Sequence, residues 1–170
     1  MARIHQITPC LWFDKQGEEA ARFYTSVFPN SKVGRIARYP EAGKEVHRQQ
    51  PGSVMMVEFE LNGQPFLALN GGPEFQFNEA ISLQIICEDQ KEIDHYWNKL
   101  GAGGDPKAQV CGWLKDRYGV SWQVVPEILM ELHHNPSTEV RDRVMAAMMK
   151  MQKIDIAAIE QAAFAGQSSG

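Results

Sequence analysis

A chain of 170 residues, 44% hydrophobic and 22% charged, is long enough for one sizeable core and too short for two full independent domains. Its formal net charge of −4 gives no electrostatic reason to expect nucleic acid or an anionic membrane as a partner. No apolar run reaches transmembrane length, and Met1-Ala-Arg-Ile-His-Gln-Ile lacks the continuous apolar stretch of a signal peptide. Cys10, Cys87 and Cys111 sit among apolar residues without CxxC spacing. Free, largely buried thiols in a reducing cytoplasm are therefore expected, with a reactive thiol at one of them as the alternative.

The first hundred residues alternate strand and helix. Ile4 to Phe13 reads as a strand that ends at Asp14, with Pro9 at an edge or where no N–H is needed. Ala20, Ala21, Phe23, Tyr24, Val27 and Phe28 form one helical face over Glu18 to Phe28, stopped by Pro29-Asn30. Lys32 to Tyr39 is a candidate strand, and the polar segment Pro40 to Gly52 reads as a mobile flap. Ser53 to Leu61 alternates, with Met55, Val57, Phe59 and Leu61 on one face and Met56, Glu58 and Glu60 on the other. Asn62-Gly63 is a hairpin signal, and Gln64 to Asn70 returns as a strand.

The order then repeats. Ala80 to Cys87 is a strand closed by Glu88-Asp89, and Gln90 to Leu100 is a helix ended by Gly101-Ala-Gly-Gly. Lys107 to Leu114 and Val120 to Val125 are strands around the turn Asp116-Arg117-Tyr118-Gly119. Gly104 to Leu114 has room for two short strands or one bent one. Internal duplication of a βαβββ unit follows, over residues 1–76 and 77–127, with a helical extension and tail at 128–170, all in one structural domain. In the extension Ser137 caps a helix to about Met151 with the apolar stripe Val140, Val144, Ala147, Met148 and Met151, and Asp155 caps a second through Ala163. The stripe is assigned to packing on the parent domain or on a twin subunit, against a ligand-binding lid as the alternative.

Ile7-Thr-Pro-Cys-Leu-Trp-Phe-Asp14 followed by Glu18-Glu-Ala-Ala-Arg-Phe-Tyr24 and Val27-Phe28 resembles the opening of PhnB-like proteins. These belong to the glyoxalase/bleomycin-resistance, or vicinal oxygen chelate, superfamily. Asn70-Gly-Gly-Pro-Glu-Phe-Gln-Phe-Asn-Glu79, Cys87-Glu-Asp89, Asp94-His-Tyr-Trp97 and Asp116-Arg-Tyr-Gly-Val-Ser-Trp-Gln-Val-Val-Pro126 continue it, so that it covers about residues 4 to 163. The resemblance implies an α+β fold in which two βαβββ modules form a curved-sheet cup, helices outside and ligand inside. It also implies a homodimer. Some relatives carry the label 3-demethylubiquinone 3-methyltransferase. No glycine-rich strand–helix turn followed by an acidic residue supports a nucleotide-type cofactor here, so methyl transfer is the least supported reading.

In metal-dependent relatives four inward residues bind a divalent ion. Carried over, they fall on Ile7, on or beside Asn70, on Ser82 (Ile81 if the loop length differs) and on Gln123. None is an imidazole or carboxylate, so no metal or other cofactor is expected, with His5 the nearest imidazole if the register shifts. Strand parity from Ile7 puts Pro9, Leu11 and Phe13 inward and leaves Cys10 and Trp12 against the helix. Phe66 and Ala68 share Asn70's face, Gln84 and Ile86 share Ser82's, and Ser121 and Val125 share Gln123's. The lining so defined, Ile7, Leu11, Asn70, Ser82, Gln84 and Gln123, is apolar with neutral hydrogen-bonding groups and suits an uncharged or weakly polar organic molecule. The same amides would also serve merely to tie strands together. The polar face of Glu58 and Glu60 reads first as a solvated outer edge; if that face is the concave one instead, Glu58 is the candidate general base, since apolar walls raise a carboxyl pKa. His47 lies in the flap, and His133-His134 is not a chelating pair because adjacent residues point apart.

The expectation is thus a metal-independent small-molecule-binding protein. The alternatives are a metal-dependent or Glu58-based lyase, isomerase or dioxygenase, and a homodimeric scaffold with a vestigial cup.

Overall fold

The computed structural model describes residues 7–165, and the chain divides into two compact units between Phe77 and Asn78. The architecture is α+β, built from two small sheets and six α-helices among the described residues.

In the first unit β1 (Cys10–Phe13), α1 (Gly17–Val27), β2 (Lys32–Arg38), the short α2 (Lys44–His47), β3 (Val54–Leu61) and β4 (Gln64–Asn70) give a sheet of order β1-β4-β3-β2. This is the expected βαβββ order, with α2 added inside the flap. Regular β1 pairing begins at Cys10 opposite Leu67, three residues later than expected within the described chain. Pro9 has no N–H to donate, but its carbonyl still accepts from Leu67 N at 2.9 Å. Asn62 and Gly63, with φ of 46° and 80°, turn β3 into β4. One sheet face, formed by Leu11, Phe13, Val57, Phe59, Leu61, Phe66 and Ala68, is buried against Ala20, Ala21, Tyr24 and Val27 of α1. Tyr24 stacks on Phe59, and Phe59 on Phe66. Each such burial contributes about 1.5–3 kcal/mol before the entropy of ordering is counted.

This corrects the parity of the first module. Leu11, Phe13, Phe66, Ala68 and Asn70 do share one face, but it is the face beneath α1, while Cys10 and Trp12 lie on the other side. Both alternations of β1 are apolar, so propagating inward orientation from Ile7 through an irregular Thr8-Pro9 lead fixed the wrong face.

The second unit holds β5 (Leu83–Cys87), α3 (Gln90–Gly101), β6 (Trp113–Lys115) and β7 (Ser121–Pro126) in the order β5-β7-β6. Leu83, Ile85, Cys87, Leu114, Trp122 and Val124 form the side toward Ile93, Trp97 and Leu100 of α3, as parity predicts. Asp116, 3% exposed, organises the β6–β7 turn. Its carboxylate accepts from Tyr118 N at 2.8 Å, Val120 N at 3.1 Å and Trp122 Nε1 at 2.8 Å.

The segment that sequence left open is neither of the two forms considered. Pro106–Ala108 is a 3-10 turn, and Val110 makes only an isolated bridge to Trp113 across Cys111 and Gly112, both at positive φ. Instead of a further strand, the C-terminal segment supplies acceptors: Cys111 N donates to Met151 O at 2.9 Å and Gly112 N to Gln152 O at 2.8 Å.

Beyond β7 come α4 (Glu127–His133), which the sequence reading did not anticipate, then α5 (Thr138–Met148) and α6 (Ile156–Phe164), capped by Ser137 and Asp155. Leu129, Leu132, Val144, Ile154, Ile159 and Ala163 form one buried cluster, with Val140, Ala147, Met148 and Met151 against it. The apolar stripe therefore packs within its own chain, the first of the two packings expected for it. The opposite side of α5 is the exposed one, with Met145 and Met149.

Candidate functional site

Ser82, Gln84 and Gln123 come together on the sheet face of the second unit that points away from α3. Parallel pairing sets Gln84 directly opposite Gln123, with Trp113 opposite Gln123 on its other side and Ile86 opposite Val125. Gln123 Nε2 donates to Ser82 Oγ at 2.8 Å, and Gln84 Nε2 approaches Gln123 Oε1 at 3.5 Å, the outer limit of a hydrogen bond. The longer contact is weak, so the Gln84 amide and the Ser82 hydroxyl keep hydrogen-bonding capacity for a further partner. Ser121, on the same side of β7, is buried, and its hydroxyl has no partner. Ile81 and Ile86 are exposed beside these groups. The arrangement is neutral and amphipathic. It can grip an uncharged polar edge against an apolar surface, and Lys115, opposite Ser121 on β6, brings an ion pair with Glu79 to the same face.

Asn70 does something else. It is 6% exposed, and its Oδ1 accepts from Gly17 N at 2.7 Å while Nδ2 donates to Val54 O at 3.1 Å. Gln16, at the N-cap of α1, makes no side-chain cap bond, so Asn70 satisfies a helix-terminal N–H from across the unit. A Cβ at residue 17 would lie 2.6 Å from Asn70 Oδ1, which is why glycine stands there. Tyr39 Oη donates to the Asn70 carbonyl at 2.6 Å. Leu11 is under α1, and Ile7 is 88% exposed.

Glu58 lies on the sheet side opposite α1 but is not a poised base. Arg35 grips it in a fork, Nε to Oε2 at 2.9 Å and Nη2 to Oε1 at 2.7 Å. That hydrogen-bonded guanidinium holds its carboxyl below the usual carboxylate range, the reverse of the rise a base in apolar walls would need. His47 ends α2, its Nδ1 accepting from Gln49 N at 3.0 Å and its ring lying 4.7 Å from Tyr39. His134 Nδ1 sits 2.9 Å from Met130 O, and His133 closes α4. His5 lies outside the described residues.

The inherited metal positions do not suit a metal. Ile7 has no donor, Asn70 is committed to the backbone, and Ser82 and Gln123 are bonded to each other. Among the described residues no group of three or more His, Cys, Asp or Glu is arranged to hold an ion. A separate cavity of about 760 Å³ lies in the first unit, bounded by Asp14, Lys15, Arg48, Gln50 and Asn70. Its lining, with charges of both signs and the unpartnered Asp14 Oδ1, was not visible in sequence, because the flap that closes it carries no periodic signal.

The family described as 3-demethylubiquinone-9 3-methyltransferase matches residues 5–125. The expected resemblance to residue 163 is therefore too long: α4 to α6 lie beyond the match. A PhnB protein from Bacillus cereus, named for a 3-demethylubiquinone-9 3-methyltransferase, is 38% identical over 72% of this chain and 99% of its own, with a TM-score of 0.60. Protein PA1353 from Pseudomonas aeruginosa is 20% identical over 72% of this chain and 97% of its own, with a TM-score of 0.56. A glyoxylase/bleomycin resistance protein/dioxygenase domain from Frankia sp. EAN1pec is 14% identical over 78% of this chain and 100% of its own, with a TM-score of 0.45. Among curated proteins none matches.

Proposed function

Given that the chain belongs to the PhnB-like family described as 3-demethylubiquinone-9 3-methyltransferase, we propose that it is a metal-independent small-molecule-binding protein of the vicinal oxygen chelate superfamily. Its ligand is an uncharged or weakly polar organic molecule held on the open face of the second sheet. The observation that carries this reading is the Ser82–Gln123–Gln84 cluster: neutral donors and acceptors beside the exposed Ile81 and Ile86, with the nearby Lys115 charge taken up by Glu79. Methyl transfer remains the least supported activity, since the family's name brings no nucleotide-type cofactor site to these residues.

The test is thermal-shift screening of the metal-free protein against a metabolite set, repeated on Gln123→Leu. Hits of the wild type that Gln123→Leu loses support the reading. Stoichiometric metal in protein purified without added metal would refute it in favour of a metal-dependent enzyme. A second reading is favoured by the cavity of the first unit, whose Arg48 and Lys15 stand with Asp14 and Glu18 and suit a small zwitterionic ligand. Hits lost in Arg48→Ala but retained in Gln123→Leu would establish it instead. The chain is further proposed to work in the cytoplasm as a homodimer. Light scattering that finds only monomer at tens of micromolar would defeat the dimer, since an obligate interface persists well below that concentration.

A further inference from the structure

Cys111 and Met149 bring two sulfur atoms to the surface of the second unit, with Sγ 3.8 Å from Sδ. The thiol is half-buried and Met149 is 61% exposed. Met145, 42% exposed, is one helical turn before Met149, and Met149 N donates to its carbonyl at 3.0 Å. The two methionines thus project from one side of the α5 terminus, with the Met149 thioether beside the thiol. The backbone beneath is fixed: Cys111 N is bonded to Met151 O and Gly112 N to Gln152 O. Cys111 also holds φ at 51°, in the left-handed region where glycine or asparagine would be the cheaper occupant.

From this geometry we propose that Cys111 and Met149, with Met145 as third donor, form a binding site for a soft monovalent cation of the Cu(I) class. Thiolate and thioether are the donor types that select such ions over magnesium or calcium, and thioethers are not among the usual zinc ligands. The spacing already suits one. With metal–sulfur bonds of about 2.3 Å, a sulfur–sulfur span of 3.8 Å subtends about 110° at the metal, between tetrahedral and trigonal. Binding requires only that the Cys111 S–H, now donating to Met149 Sδ, release its proton to solvent. Met145 and Met149 belong to the segment beyond the family match, whereas Cys111 lies within it. The site is therefore completed by the C-terminal extension and is independent of the Ser82–Gln123 cluster.

The experiment uses Ag(I), a redox-stable probe of the same class, titrated as the nitrate in chloride-free buffer. The protein is the reduced full chain with Cys10→Ser, which removes the exposed competing thiol. Calorimetry gives affinity and stoichiometry, and NMR of ¹³C-methyl-labelled methionine reports the donors. The expected result is one ion per chain with shifted methyl signals for Met149 and Met145. Met149→Leu, a volume-conserving change at an exposed position, should weaken binding at least tenfold, and Cys111→Ser should weaken it a further order of magnitude. Unchanged affinity in Met149→Leu, or an unmoved Met149 methyl at saturation, would overturn the site and leave an ordinary thiol capturing silver. Circular dichroism of each variant verifies the fold, and Met145→Leu gives an independent second reading of the thioether contribution.

Discussion

Replacing Asn70 with alanine tests whether this residue is a structural clamp. The substitution removes the acceptor of the Gly17 N–H and the donor to the Val54 carbonyl, bonds of 2.7 and 3.1 Å around a side chain that is 6% exposed. Each backbone group left without a partner costs about 1–3 kcal/mol. Because the cavity beside it admits some water, the lower half of the combined range applies, about 2–4 kcal/mol. For a chain of this size that corresponds to a fall in Tm of about 4–16 °C. Urea denaturation and calorimetry measure the loss, and amide exchange at Gly17 should become fast ahead of the rest of α1. Asn70→Asp keeps the acceptor and adds a favourable charge at the α1 N-terminus, so it should recover the Gly17 protection but not all of the stability. An alanine variant within about 2 °C of wild type, with Gly17 still protected, would refute the clamp and return Asn70 to the candidate ligand contacts.

Val144, 1% exposed within the C-terminal cluster, should not tolerate Val144→Glu. The buried charge should melt α4 to α6 at a cost of several kcal/mol, seen as lost helicity by circular dichroism, while light scattering of the folded fraction shows no change in association. Cys87 is held inert: burial, reinforced by Glu92 and Asp89, pushes its thiol up to about 12, so at pH 8 a disulfide reagent should label the exposed Cys10, slowed by the partial burial that raises its thiol, and Cys87 only on unfolding. Glu58 has a lowered carboxyl pKa. Its small stabilising contribution is thus complete above the unfolded value of about 4.3 and is lost as pH falls through the folded value. Carboxyl NMR should find that midpoint low in wild type and back near its ordinary position in Arg35→Ala.

The helices over 17–28 and 90–100 were legible because apolar spacing, Pro29 and the glycines after Leu100 are local signals, and tertiary packing agrees with them. Parity held in the second module, where Leu83, Ile85 and Trp122 contrast with polar Gln84 and Gln123. It failed in the first, where Leu11 and Phe13 alternate with Cys10 and Trp12 and hydrophobicity distinguishes neither face. Glu58 was identified as the salient carboxylate, but Arg35 lies 23 positions away and its grip depends on β2–β3 register. The Asn70–Gly17 clamp spans 53 positions and leaves no trace in any local window.

The replacement of a strand by the 151–152 segment bears on how the second unit is born. Gly112 and Cys111 find their acceptors only after another 40 residues of chain, and Gln90 clasps Ile154 and Ile156 across more than 60. Closing such loops costs conformational entropy before any contact repays it, and non-local pairing of this kind slows folding. During synthesis the first unit, whose sheet is complete by Asn70, is ready to fold while the second still waits for residues 151–156. A stalled or clipped product lacking α5 and α6 would expose Leu129, Leu132 and two unpaired backbone donors. Such a product is an aggregation-prone intermediate.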